Sequence, residues 1–164
     1  MANVNYAQDS ANSSNRWRFP REDPSPHGIP FKHTVTLATT DLDTATDTWD
    51  LFHFPSGASL DLDSLVVNFG DLDSNGSPNL VIDIGISDGD GTIDTVLIDN
   101  STAGQNGGID RVDDSAISSN GKFLSVSDKY LSGDIVTVAA TAASSTVAVE
   151  GIYHMNIEAS TATA

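Results

Sequence analysis

The chain has 164 residues, a formal net charge of −16 and no cysteine. A disulfide framework, a thiolate zinc site and a cysteine nucleophile are therefore excluded. So acidic a surface also disfavours nucleic acid and anionic membranes as partners, and we expect neither. Leu, Ile, Val and Phe supply 40 of the 164 residues, which is enough to build one buried core despite the charge.

The N-terminal residues 1–30 differ from the rest and predict an extended arm. Four prolines between residues 20 and 30 remove backbone donors and block helix formation. Around the first of them, basic and aromatic side chains alternate: Arg16, Trp17, Arg18, Phe19 and Arg21. Exposed aromatics on an arm without a core indicate packing, either on the chain's own body or on a protein partner. Fully extended, such an arm could reach on the order of 100 Å.

From residue 31 onward the sequence alternates apolar and polar residues, which is typical of half-buried β-strands. Strands are predicted at residues 31–37, 49–54, 65–69, 79–86, 123–126, 135–138 and 146–157. Gly151 could mark a bulge in the last of them. Residues 92–98 suit either a short helix or a strand, and the segment 99–116 is rich in Gly and Asp and predicts a loop.

Seven or eight strands without a sustained helical pattern predict an all-β fold, an antiparallel β-sandwich of jelly-roll type. The predicted organisation is an arm at 1–30, a sandwich domain at 31–158 and a flexible tail at 159–164. No apolar run approaches 18 residues, so no membrane-spanning segment is expected, and the first residues lack a signal-peptide core.

The sharpest local pattern lies at residues 71–76 and has two interpretations. Asp71, Asp73 and Asn75, followed by Gly76, match the first half of a calcium-binding loop. Calcium needs six to eight oxygen ligands, and the position that would carry a bidentate Glu is occupied by Ile82. The alternative, which we favour, is a tight hairpin turn, because Asn-Gly is a strong hairpin signal.

No catalytic residues are predicted. The pairs Asp41/Asp43, Asp61/Asp63 and Asp113/Asp114 could be glycosidase carboxylates, but they lie among small polar residues rather than in an apolar pocket. The four histidines, at positions 27, 33, 53 and 154, do not form a His-x-His metal motif. Neither a nucleophile elbow nor a phosphate-binding loop is present. The sequence therefore predicts a protein that is not an enzyme.

Several segments together resemble a known family. Residues 34–38, 54–58, 71–78 and 80–85 follow one another in an order similar to that of capsid decoration proteins, or cement proteins, of tailed bacteriophages. The resemblance covers about residues 31–157 and does not include the arm. It implies a jelly-roll or β-sandwich fold, often trimeric, and a position on the outer surface of the phage head.

The resemblance further implies that the partner is the major capsid protein and that the protein assembles onto virions in the host cytoplasm. The arm, with Trp17 and Phe19, would then contact neighbouring subunits. The alternative function is a carbohydrate- or receptor-binding module of a phage tail or adhesin. That alternative needs exposed aromatics on the sandwich, for which Trp49, Tyr130 and Tyr153 are the candidates.

Overall fold

The computed structural model describes residues 28–155. The predicted arm residues Arg16, Trp17, Arg18, Phe19 and Arg21, and the predicted tail at 159–164, lie outside this part. Within it the chain forms nine strands and one α-helix, together with two short 3₁₀ turns at Thr39–Leu42 and Ala103–Gln105. The strands are β1 (Ile29–Leu37), β2 (Thr48–His53), β3 (Ala58–Phe69), β4 (Val81–Ser87), β5 (Thr95–Ser101), β6 (Gly108–Arg111), β7 (Phe123–Ser125), β8 (Tyr130–Thr137) and β9 (Ser145–Met155), and the helix α1 is Asp114–Asn120.

The strands form two antiparallel sheets. Sheet 1 has the order β1-β9-β3-β6, with β7 also paired to β3, and sheet 2 has the order β2-β8-β4-β5. Strands pair as though one long hairpin had been rolled up, namely β1 with β9, β2 with β8, β3 with β6, and β4 with β5. This is the jelly-roll arrangement, so the predicted all-β sandwich is confirmed.

The core lies between the two sheets. The alternation predicted for β4 holds, since Ile82, Ile84 and Ile86 are all buried. They belong to the same buried cluster as the inward side chains of β3, which are Leu60, Leu62, Leu65, Val67 and Phe69. One end of the core is closed by an aromatic group in which Phe31 stacks on Phe52 at 4.4 Å between ring centroids.

Strand β3 is longer than predicted. The segment 99–116, part of which pairs with β3, is not the loop that the sequence predicts. The predicted loop at 99–116 contains β6 and the start of α1. The C-terminal half of β3 pairs with β6, whereas its N-terminal half pairs with β7. Strands β6 and β7 therefore continue one another along β3, and α1 lies in the excursion between them.

Two further expectations are decided by the topology. Residues 95–101 form a strand, which settles the ambiguous segment in favour of β-structure. The predicted hairpin at Asn75-Gly76 is wrong, because β3 and β4 belong to different sheets and the loop between them crosses from one sheet to the other. Among residues 28–155, no helix has the length and apolar character needed to cross a bilayer.

The register places a bulge near Gly151, as predicted, but the extra residues are on β3. Asp61 is opposite Ile152 and Val66 is opposite Glu150, so four residues of β3 face one glycine of β9. A Cβ at Gly151 would lie 3.0 Å from the Phe31 ring, which explains why the position has no side chain.

Candidate protein-docking surface

The loop that carries the predicted calcium ligands is organised by Asp73. This side chain is buried, and its two oxygens accept hydrogen bonds of 2.8 to 3.4 Å from five backbone N–H groups: those of Asn75, Asn79, Leu80, Ala140 and Thr141. Burial by itself would raise the pKa of Asp73, but the backbone hydrogen bonds outweigh it and lower the pKa to about 2. The carboxylate thus holds two distant segments of the chain together.

The other two predicted ligands do not join Asp73 around a common point. The Asn75 side chain accepts a hydrogen bond from the Ser77 N–H and donates one to Thr141, and Asp71 is exposed. Within residues 28–155, no group of three His, Asp or Glu side chains is arranged to hold a metal ion. Since the oxygens of Asp73 already face N–H donors, the geometry favours a structural turn over the calcium site, which remains a hypothesis for titration to test.

The carboxylate pairs and the histidines are dispersed over the molecule. Asp61 and Asp63 lie near the ammonium group of Lys122, at 3.9 and 3.3 Å, on the surface. His53 stacks on Tyr130 in sheet 2, whereas His154 meets Phe123 edge-on in sheet 1. The histidines therefore do not converge on one face.

The aromatic residues proposed for carbohydrate binding do not form an exposed platform. Trp49 and Tyr153 are partly buried and pack against the core, and Tyr153 belongs to the aromatic group with Phe31. Tyr130 is covered on one side by the His53 ring at 4.4 Å. None of these three residues therefore offers the exposed aromatic face that the carbohydrate-binding alternative needs.

The outer face of sheet 1 carries the two most exposed large apolar side chains of the described residues, Ile109 and Phe123. Directly paired residues of an antiparallel sheet share a face, so Asn68 and Ile109 lie side by side there, as do Val66 and Arg111. A shallow groove crosses this face and is lined by Lys32, Val66, Asn68, Ile109, Ala148, Val149 and Glu150. Ile109 is 63% exposed, which is unusual for so large an apolar side chain in a strand.

A second exposed apolar side chain lies on this face, on β7. Phe123 is 53% exposed, lies opposite Asp61 and contacts His154. Gly28 approaches the same region, since a Cβ there would overlap the Ile152 side chain and lie 3.1 Å from His154. The described body therefore begins, at Gly28, beside this face.

The charges on the outer face of sheet 1 are largely balanced. Lys32 pairs with Glu150 at 3.2 Å, and Lys122 lies near Asp61 and Asp63. Arg111 forms no ion pair with any residue of the described body. Three of the four lysines and arginines in residues 28–155 thus lie on or beside this one face.

The outer face of sheet 2 has the opposite character. Asp83 is directly paired with Asp134, and the neighbouring strand contributes Asp50, which accepts a hydrogen bond from Ser132. Burial and the adjacent Asp83 charge both raise the pKa of Asp134. No lysine or arginine of residues 28–155 forms an ion pair with these three carboxylates.

Sequence reasoning did not find Ile109 and Phe123 as surface residues. Ile109 lies in the segment 99–116, which the sequence predicts as a loop, although the order Gly-Ile-Asp-Arg is compatible with a short strand. Phe123 was placed in a strand, but a three-residue strand gives too short a pattern to tell which face is outward.

The strand order defines an eight-stranded jelly-roll domain with β7 as an additional short strand. Two solved structures share this fold. A chain in the capsid of Ralstonia phage GP4 is 23% identical with a TM-score of 0.66, over 81% of this chain and 87% of that one. A chain in the capsid asymmetric unit of cyanophage Pam1 is 20% identical with a TM-score of 0.57, over 94% of this chain and 99% of that one. No protein-family model and no curated protein sequence matches the chain.

Proposed function

We propose that the protein is a structural component of a phage virion, a decoration or cement protein that binds the outer surface of the head. Its partner is the major capsid protein, and it stabilises contacts between capsid subunits without catalysing a reaction. The observation that carries this proposal is the shared jelly-roll fold, which spans 87% and 99% of two chains found in phage capsids. The likeness concerns the fold, and the function is inferred from it.

The character of the surface supports the same proposal. The described body has a broad, charge-balanced face with two large exposed apolar side chains, Ile109 and Phe123. Both lie on the same face of sheet 1, and apolar side chains that share one exposed face are compatible with a protein contact. A flat or shallow face of this kind suits another protein better than a small molecule, which needs a concave pocket.

We assign the arm a role in contacting neighbouring subunits. Arg16, Trp17, Arg18, Phe19 and Arg21 combine the residue types that dominate protein interfaces. Many copies on one shell would multiply a weak contact through avidity. We further propose that the protein is a trimer, assembled onto heads in the host cytoplasm.

The experiment that tests the function uses heads purified after deletion of the gene for this protein. Purified full-length protein is added back, and occupancy is measured by sedimentation and gel densitometry, with the heat stability of the heads as a second readout. We expect saturable binding and heads that withstand a higher temperature. Heads that bind no protein at any concentration would contradict the proposal.

The arm is tested separately with Trp17→Ala/Phe19→Ala in the full chain. Because every buried core residue of the described body lies between Phe31 and Val149, this variant should keep its fold and melting temperature. We expect lower occupancy of the heads, whereas full occupancy would disprove a role for the arm. Sedimentation velocity of the unbound protein tests the trimer.

A further inference from the structure

The two broad faces of the jelly roll differ in what they offer a partner. Sheet 1 presents Ile109 and Phe123, which are 63% and 53% exposed, and its three paired carboxylates, Glu150, Asp61 and Asp63, share the two cations Lys32 and Lys122. Sheet 2 presents Asp50, Asp83 and Asp134 without a cation from the described body. Exposed apolar side chains on sheet 2, Val96 and Val136, are smaller and less exposed.

Resting on the function proposed above, we propose that the outer face of sheet 1 is the surface by which the protein docks on the capsid shell. The matching shell surface is apolar where it meets Ile109 and Phe123, and it supplies a carboxylate to Arg111. The outer face of sheet 2 then points away from the shell, into solvent.

The cost of removing charges from water decides between the two faces. A carboxylate that is buried without a partner loses its hydration and gains nothing in return. Docking through sheet 2 would bury three aspartates that have no cation partner, of which Asp50 and Asp83 each accept one hydrogen bond, and Asp83 and Asp134 repel one another. Docking through sheet 1 covers ion pairs that form within the protein, and it buries the two most exposed large apolar side chains of the described residues, Ile109 and Phe123.

Arg111 indicates that the partner surface carries a negative charge. Its guanidinium forms no ion pair within the described residues and lies on the same face as Val66, two residues from Ile109. A second copy packed through the same face would bring Glu150, Asp61 and Asp63, which are already paired with that copy's own lysines. A distinct protein with a free carboxylate is therefore the better complement.

The test compares full-length variants that differ only in which face carries a new charge. Ile109→Asp changes the proposed docking face, and Val136→Asp places the same change at an exposed position of β8 in sheet 2. Both sites are exposed, so both variants should fold, which is checked by circular dichroism and melting temperature. Binding to heads that lack the protein is measured as above.

We expect Ile109→Asp to weaken binding by at least about tenfold and Val136→Asp to change it by less than about twofold. Arg111→Glu should weaken binding as well, whereas Lys129→Glu, on the side of sheet 2, should not. If wild-type protein binds and the two Asp variants bind equally, the assignment of the face is wrong. A larger loss with Val136→Asp would place the contact on sheet 2 instead.

Two other outcomes also have defined meanings. If Ile109→Asp lowers the oligomeric state in solution, the face joins copies of this chain and the shell assignment is overturned. If wild-type protein fails to bind heads, the proposed function fails first, and this inference fails with it.

Discussion

Asp73 shows how one side chain fixes the connection between two parts of the chain. Its carboxylate accepts backbone N–H groups from residues 75–80 and, about 60 residues later, from Ala140 and Thr141. A buried charge is tolerated because hydrogen bonds from several N–H dipoles replace its hydration. The local pattern of alternating Asp and Asn could be read from the sequence, but the donors from the second segment could not.

Replacing Asp73 with Asn should strongly destabilise the protein. The amide keeps one oxygen acceptor, but its NH₂ group would face N–H donors, so at least two buried N–H groups lose their partner. We expect the free energy of unfolding to fall by about 2 to 4 kcal/mol. Urea unfolding followed by circular dichroism measures this loss. Asp71→Asn, at an exposed site in the same loop, is the control and should change stability by less than about 0.5 kcal/mol.

The lowered pKa of Asp73 also predicts an acid-dependent loss of stability. The pKa is about 2 in the folded protein and 3.8 as the ordinary value, so the folded state binds fewer protons between these values. The contribution, about 2 kcal/mol, is therefore complete above pH 4 and lost as the pH falls toward 2. Urea unfolding of the wild type and Asp73→Asn across this range should show the difference between them shrinking. A difference that stays constant with pH would contradict the assignment.

Calcium should not bind at Asp71, Asp73 and Asn75. A cation there would have to displace N–H groups whose positive ends already point at the Asp73 oxygens. Calorimetric titration with calcium is expected to give no saturable heat, and the melting temperature should match that in magnesium at equal ionic strength. A calcium-specific rise in melting temperature that Asp71→Asn abolishes would establish the metal site instead.

At the scale of the elements, the sequence predicted strands best where alternation is long. β4 and β9 each show a clear apolar face, and both were predicted within about two residues of their ends. β6 and α1 were missed because each is short and polar, and they are held in place by pairing with β3 and by contacts of Val112 and Ala116 with the core. Elements that depend on such tertiary contacts cannot be predicted from the local sequence pattern.

The crossing from β3 to β4 illustrates a second limit. The turn residues around Asn75 and Gly76 were identified correctly as a turn, but the sequence could not show that the flanking strands lie in different sheets. Local turn chemistry fixes where the chain reverses, and the partners of each strand are fixed by the whole topology. The docking face was missed for the same reason, since Ile109 and Asn68 are neighbours only in the folded sheet.

The pairing of β2 with β8 depends on a glycine. Trp49 is opposite Gly133, and a Cβ at Gly133 would lie only 2.5 Å from the Trp49 ring. Gly133→Ala should therefore displace the indole and lower the free energy of unfolding by about 1 to 3 kcal/mol. Gly76→Ala, where a Cβ meets no atom within 4 Å, is the matched control and should be much milder. Urea unfolding with circular dichroism measures both changes, and equal losses would argue against the steric cause.

At the scale of the whole molecule, the dominant feature is the uneven distribution of charge. The chain carries −16, yet its cations in the described body gather near one face, so the repulsion between carboxylates is concentrated elsewhere. Such repulsion favours solubility and opposes compaction.

Screening this repulsion should stabilise the fold. We expect the melting temperature at pH 7 to rise as NaCl increases from about 0.05 M to about 0.5 M, because the screening length falls over this range. The control is the same series near pH 4.1, the isoelectric point of the sequence, where the net charge is small and the rise should largely disappear. A melting temperature independent of salt at pH 7 would show that the charges are too far apart to matter.

The rolled-up hairpin places the first and last strands side by side, with Ile29 directly opposite Tyr153. The described body therefore begins and ends at one corner of the domain. A label inserted directly before β1 or directly after β9 would crowd the other end of the body, and a label grafted into the excursion around α1 would lie beside Arg111 and Phe123 of the proposed docking face.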